Sequence, residues 1–267
     1  MCQPQFNLGR CLERIGCTGS VNPNINSLQT LQKAFLLRIP FENLDIHLGR
    51  EIKLDSKTIY KKIVMNNRGG FCYECNILFF DLLAALGYQV AYLSARMIKA
   101  ALVGPEYDHM VLLVKLEHDY LVDVGNGQSF REPLRIDGTN SATSEGFTYR
   151  IGTHGKEHAL YYRQPDEEWK PRFLVRLERR KQAEFSDMCH YHQTSASSPF
   201  TRHRMATIAT QNGRVTLRDR RLSIADGITT QESSMQSECE YHGTLKRFFG
   251  IDLAAEDCTP PNNLLEN

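Results

Sequence analysis

The segment Arg68-Gly69-Gly70-Phe71-Cys72-Tyr73-Glu74 places a cysteine directly after a glycine pair and at the head of an apolar run. If that run is a helix, the unpaired N–H groups of its first turn favour negative charge, and a thiolate there is stabilised. The glycines admit close approach of another molecule to the backbone. A thiolate nucleophile also needs a general base, and the base needs a group that orients it. His109 opens one β-rich run and Asp123 lies near the end of the next, so residue order suggests a Cys72–His109–Asp123 triad. Spacing supports this only in part. A hairpin that pairs Leu116 with Tyr120 around Glu117-His118-Asp119 sets His109 and Asp123 on one sheet face. It also leaves them four residues out of register, too far for a hydrogen bond along flat strands at ~3.4 Å per residue. Strong twist, a bulge or an earlier turn has to close that gap.

The elements that must carry these groups follow from hydrophobic periodicity. Leu28, Leu31, Phe35 and Leu36 recur at helical spacing until Pro40 ends the pattern. Asp55-Ser56 can cap a further helix through Ile59, Tyr60 and Ile63. After the Gly69-Gly70 break, a third helix is expected over about 73–86, with Gly87 as its stop. From Gln89 the pattern turns to strands: Val90, Tyr92 and Ser94 alternate, and 109–116 and 120–124 form a hairpin. Further strands are expected at 147–151, 159–163, 173–177, 204–210 and 215–217, with a short helix near 244–249. Residues 233–237 read as a loop and Thr259-Pro260-Pro261-Asn262-Asn263 as a frayed tail. Helices first, then strands, then a mixed end is an α+β pattern.

Composition narrows the function classes. Hydrophobic residues make up 41% and charged residues 24% of 267 residues, enough for a sizeable core. Lys and Arg total 32 against 31 Asp and Glu, and a formal charge of +1 argues against nucleic-acid binding driven by net charge. No apolar run reaches the ~18 residues of a membrane span, and the best, 77–86, carries Asp81. The opening MCQPQFNLGR lacks the apolar core of a signal peptide, and eight dispersed cysteines do not make a secreted disulfide scaffold. A reduced, cytoplasmic protein without nucleic-acid or membrane partners is expected.

Other constellations have plainer readings. Cys72-Tyr73-Glu74-Cys75 has the C-x-x-C spacing of disulfide oxidoreductases, but those need a strand before the motif, whereas 61–67 reads as a helix end and loop. Cys189-His190-Tyr191-His192 invites zinc, yet closed structural sites need four ligands, so no metal is expected and the stretch reads as a turn into the last domain. Gly125-Asn126-Gly127 lacks a P-loop lysine and following helix. Arg218-Asp219-Arg220-Arg221 reads as a solvated turn.

Several motifs in one order resemble a known family. Leu28-Gln29-Thr30-Leu31, Arg38-Ile39-Pro40-Phe41-Glu42-Asn43-Leu44-Asp45, the stretch 68–76, Asp108-His109-Met110-Val111 and Val122-Asp123-Val124-Gly125 look like the arylamine N-acetyltransferase family. The likeness begins near Phe6 and continues, more weakly, to about Leu253. It implies a helical bundle over 1–88, an antiparallel β-barrel-like domain over 89–190 and an α/β lid with a tail over 191–267. It further implies a ping-pong mechanism: a cysteine takes acetyl from acetyl-CoA, a co-substrate rather than a prosthetic group, and passes it to an aromatic amine or hydrazine.

Carried over by position, Cys72 is the acylated nucleophile, His109 its proton acceptor, Asp123 the orienting acid and the Cys72 N–H an oxyanion donor. Phe41, Phe71, Gly125, Asn126 and Gly127 are expected to contact substrate, and Glu42 with Arg68 to tie the bundle to the active-site loop. Cys75 and Asn126 depart from the family, which usually has a non-cysteine at the first position and a bulky apolar or aromatic residue at the second. The same Cys-His-Asp order also serves amide synthases of this fold and transglutaminase- or hydrolase-like acyl transfer, both without CoA.

Overall fold

Caps and breakers in the first third act where the sequence puts them. In the computed structural model, which describes residues 6–19, 21–227 and 229–253, Asn7 caps α1 (Leu8–Arg14) and Asn24 caps α2 (Ile25–Arg38). Pro40 ends α2, and β1 (Phe41–Glu42) and α3 (Leu44–His47) follow. Asp55 accepts the Thr58 N–H and so caps α4 (Ser56–Tyr60), which widens into a π turn over Lys61–Met65. Periodicity missed α1, whose short length leaves almost no pattern. The apolar helix α5 (Cys72–Ala85) begins one residue before its expected start. The expected tail at 259–263 lies outside the described residues.

Two antiparallel sheets complete an α+β fold. The larger holds β2 (Gln89–Lys99), β3 (Leu102–Val103), β4 (His109–Lys115), β5 (Asp119–Val122), β6 (Leu134–Arg135), β7 (Ser141–Ser144), β8 (Phe147–His154), β9 (Glu157–Arg163) and β10 (Lys170–Arg180). Their order is β6-β5-β4-β2-β10-β9-β8-β7, with β3 beside β2, and the sheet curls until β6 approaches β8, a nearly closed barrel. Register shifts in β10 between Pro171 and Phe173 and between Val175 and Arg179 let it bend that far. Strand β4 is buried on both faces: Met110, Leu112 and Val114 pack towards the helices, Val111 and Leu113 into the barrel. That explains an unbroken apolar run in place of alternation.

Helices α6 (Ser186–Thr194) and α7 (Pro199–Arg202) lead to the second sheet. It comprises β11 (Met205–Ala209), β12 (Gly213–Arg218), β13 (Arg221–Asp226) and β14 (Thr229–Ser234), with α8 (Glu238–Thr244) and a π turn at Leu245–Phe249 packed behind. Its edge strand is β1, with Phe41 opposite Thr207. Two expectations need correction. Ser233 and Ser234 close β14 rather than belonging to a loop, because their backbone pairs with Arg221 and Leu222. Cys189 to His192 lie on α6 rather than in a turn, with Cys189 and His192 on its buried side.

Beneath the active-site loop lies a cluster of buried charges. Arg68 bonds Glu42 through Nε at 3.0 Å and Asp45 at 2.9 Å; Lys62 meets Glu74 at 2.9 Å and Asp45 at 2.8 Å. All five are buried, so the Glu42–Arg68 pair ties the bundle to the loop as expected, and not as a surface ion pair. Three carboxyls face two cations, and Glu74 relieves the surplus. Burial raises its pKa, Glu42 and Asp45 add to the rise, and against Lys62 they carry it to about 7. The loop itself is tied to the chain after α2: Gly70 N–H donates to Pro40 O, and Glu42 N–H to Gly70 O. A Cβ on Gly69 would lie 2.0 Å from Pro40 O. Gly69→Ala is therefore expected to lower the unfolding free energy by roughly 3 kcal/mol. Gly243→Ala, at a helical site with nothing within 4 Å, should instead raise it by roughly 0.5–1 kcal/mol. Urea unfolding of both variants checks this; an unchanged midpoint for Gly69→Ala would show that the loop can leave Pro40 without cost.

Candidate active site

Cys72 opens α5, with Phe71 extended before it as the N-cap. Glu74 reaches back to accept the Phe71 N–H at 3.1 Å and so fixes the entry to the helix. The Tyr73 N–H favours the Cys72 thiolate, the influence expected of a helix start. Burial outweighs it. Together with nearby Cys189, Asp123 and Asp108, burial pushes the thiol well above its usual range. The helix start favours the thiolate and burial opposes it.

His109 stands at the same cavity as Cys72. Its Nε2 lies 2.8 Å from Asp123 Oδ2, and both side chains are buried. The register gap is closed by an earlier turn. Lys115 pairs with Asp119 around Leu116, Glu117 and His118, and Leu112 opposes Val122. Asp123 then falls opposite Val111, two residues from His109 on the same face, a diagonal that side chains can span. Burial alone would raise the Asp123 carboxyl. His109, Asn76 and the Gly125 N–H outweigh it and hold the group below its usual range.

Sequence reasoning missed the residue that joins these parts. Asn76, one turn after Cys72 on α5, donates through Nδ2 to Asp123 Oδ1 at 3.1 Å, Met110 O at 2.8 Å and Cys72 O at 3.2 Å. Its Oδ1 accepts the Val124 N–H at 3.2 Å. The available signal was a lone amide at i+4 from the cysteine within an apolar helix. Gly125 completes the seam: a Cβ there would sit 2.7 Å from Cys72 Cα and 2.5 Å from Cys72 O. Only glycine permits that approach.

Cys72 and His109 open onto a cavity of about 350 Å³. Phe41, Gly125, Asn126 and Gly127 line it as expected, with Phe200 and Met205 adding apolar wall. Phe71 does not line it. It is fully buried, edge-on to Tyr73 and Phe200, because its backbone must cap α5 while its ring packs behind the wall. Asn126 Oδ1 accepts from Arg172 at 2.9 Å, while its buried Nδ2 has no partner. Lys99 and Arg214 bring cations to the wall, and Arg214 is paired with Glu145 at 2.8 Å.

The remaining constellations separate in space. Cys75 turns away from the cavity, its Sγ donating to Gly70 O at 3.2 Å, and a π turn rather than the strand of an oxidoreductase motif is the element before its helix. Cys189 accepts from Gln193 and His192 turns to Asp108 and Ser198, while His190 is exposed; among the described residues no three metal-ligating side chains converge. Arg218 and Arg221 flank the β12–β13 turn, where Asp219 accepts the Arg204 N–H. Among the described residues no helix is long and apolar enough to cross a membrane. Removing the central amide tests the seam. Asn76→Ala is expected to cut kcat about 100-fold, because small misplacements at a reacting centre cost that much, and to destabilise by about 1–3 kcal/mol through the orphaned Val124 N–H. Steady-state kinetics with urea unfolding checks both; normal kcat in a folded variant would make Asn76 dispensable.

Comparison with known proteins agrees with this geometry. Residues 24–258 match a family model described as N-acetyltransferase. The sequence is 32% identical over 258 residues to the arylamine N-acetyltransferase of Mycolicibacterium smegmatis, covering 93% of each chain. It is 27% identical to the proansamycin X synthase of Amycolatopsis mediterranei, over 92% of this chain and 98% of that one. The solved Mycobacterium marinum arylamine N-acetyltransferase in complex with CoA aligns with a TM-score of 0.84 at 29% identity, covering 92% of this chain and 93% of that one. With a buried thiol, an imidazole locked to a carboxylate beside it, and likeness across nearly the whole chain, this protein belongs to the arylamine N-acetyltransferase family.

Proposed function

We propose that the chain moves acetyl from acetyl-CoA to an aromatic amine or hydrazine through an acetyl-Cys72 intermediate, in two successive exchanges at one site. The carrying observation is the 2.8 Å contact of His109 Nε2 with Asp123, which leaves Nδ1 as the ring atom free to serve the thiol in the shared cavity. Asp123 selects the tautomer with a proton on Nε2 and compensates the imidazolium when Nδ1 takes the thiol proton. The sulfur then attacks the thioester carbon, the CoA sulfur leaves, and His109 returns the proton to it. In the second exchange the amine nitrogen attacks the acetyl group, passes its proton to His109 and expels Cys72. N–H groups at the head of α5, including that of Cys72, would face the developing oxyanion. The CoA bound by the M. marinum relative supports the choice of donor. A cytoplasmic setting suits the six described cysteines, all free thiols.

The likeness to a proansamycin X synthase favours a second reading, amide formation from an acyl donor other than acetyl-CoA with the same three residues. Intact mass after incubation with acetyl-CoA and no amine separates them. A gain of one acetyl group, absent in Cys72→Ala, is expected; wild-type protein that stays unmodified would favour the second reading.

Asn126 bears on which amine is chosen. Asn126 puts an amide at the cavity wall, its Nδ2 buried and without a partner, where a larger apolar side chain would offer a ring contact worth ~25 cal/mol per Å². Tolerance of larger or more polar ring substituents is expected, with weaker binding of plain anilines. Asn126→Phe should return preference to small apolar arylamines, read as the ratio of kcat/KM for competing substrates. An unchanged order would place selection elsewhere.

A further inference from the structure

The cavity wall holds a second imidazole–carboxylate pair. His192 Nε2 lies 3.2 Å from Asp108 Oδ1 and 3.3 Å from Asp108 O, and His192 and Asp108 share the wall with Cys72. Strand β4 delivers the carboxylate, since Asp108 immediately precedes His109; α6 delivers the imidazole, held edge-on to Phe200 at 5.1 Å between ring centroids. His192 Nδ1 meets Ser198 Oγ at 3.3 Å, so a hydroxyl, an imidazole and a carboxylate stand in line. This is no second nucleophile. Ser198 is fully buried, its O–H donates to His192 O at 3.1 Å, and its oxygen accepts the Phe200 N–H at 3.2 Å. The hydroxyl therefore braces the ring. Nε2 faces two oxygens that have no proton to give, and Nδ1 faces a hydroxyl whose proton is engaged elsewhere. A proton on Nε2 serves the Asp108 oxygens and couples the imidazole and the acid as one unit.

That coupling matters to the thiol. Its titratable and charged surroundings are Tyr73 on its own helix, Asp108 and His109 from β4, and Asp123 beyond β5. Cys189 and His192 come from α6, with Lys99 and the Glu145-paired Arg214 in the cavity wall. His109 answers Asp123. Asp108 has His192 as its hydrogen-bonded partner, with Lys99 and His109 as further neighbours. We propose that His192 and Asp108 form a charge-balancing pair that governs how readily Cys72 gives up its proton, the imidazole screening a carboxylate that otherwise opposes the thiolate. Asp108 is among the groups that push the Cys72 thiol up. Burial works to raise the Asp108 carboxyl itself, but His192, Lys99 and His109 hold it below its usual range, as an ionised partner. Both are positioning residues: they act through Cys72 and need touch no substrate.

The inference rests on Cys72 being the nucleophile, and its test keeps the two apart. The rate of Cys72 alkylation by iodoacetamide, followed by peptide mass, is measured against pH in wild type, Asp108→Asn, His192→Gln and the double variant. Asp108→Asn should move the midpoint about one pH unit down and His192→Gln about one unit up, the size of effect a neighbouring charge exerts. The double variant removes the pair as a unit, strands no charge, and should return close to wild type. Read beside whichever single variant folds, it decides the matter. Shifts of both singles in one direction, no shift, or a double variant displaced as far as either single would overturn the proposal. Failure of the nucleophile reading looks different: wild-type protein would then form no acetyl adduct at Cys72 with acetyl-CoA.

Discussion

A buried carboxylate cannot be left short of donors, and Asp123 is held by three. His109 takes one oxygen, while Asn76 and the Gly125 N–H share the other. Because those donors come from a strand, a helix and the carboxylate's own loop, satisfying Asp123 also locks three elements to one another. Asn76 extends the lock by bonding Cys72 O on its own helix and Met110 O on the strand beside it. Thiol and imidazole are thus aligned by the accounting of a single acid. Gly125 is the steric half of the same arrangement, since any side chain there would drive the loop off the head of α5.

A second anchor lies on the other side of the nucleophile. The charges around Lys62 and Arg68 grip the loop before Cys72, and Glu74 belongs both to that cluster and to the first turn of α5. Burying so many charges is costly, and removing one partner strands another. The gain is positional: Gly69-Gly70 has little freedom between Pro40 and the helix it introduces. Cys72 is therefore fixed from before by ion pairs and from behind by the Asn76 seam.

Much of this could be read from residue types. The His109–Asp123 contact, the helix starts at Asp55 and near Cys72, the β4–β5 hairpin and the bundle–loop ion pair all left local marks. The register of that hairpin did not, because Leu116-Glu117-His118 and Glu117-His118-Asp119 are both acceptable three-residue loops. Side-chain packing chose between them, since the shorter diagonal lets an ionised Asp123 reach His109. Phe71 illustrates the opposite limit. Its neighbour is catalytic in type, yet its own ring faces the interior, a direction set by helix geometry rather than by proximity in sequence. The helical state of Cys189 to His192 was hidden by an almost entirely polar composition, whose buried side shows only once Asp108 and the cavity are in place.

Strand β1 lends itself to a sheet whose other members begin at Met205, so Phe41 meets Thr207 across most of the chain. The cavity inherits this topology, drawing Phe41, Cys72, His109, His192 and Thr216 from every part of the sequence. Contacts so distant in sequence form late. During synthesis, the helical third emerges from the ribosome with Cys72 and Phe41 but without His109 or the rest of the cavity lining. The nascent chain thus lacks a complete cavity until β12 has followed.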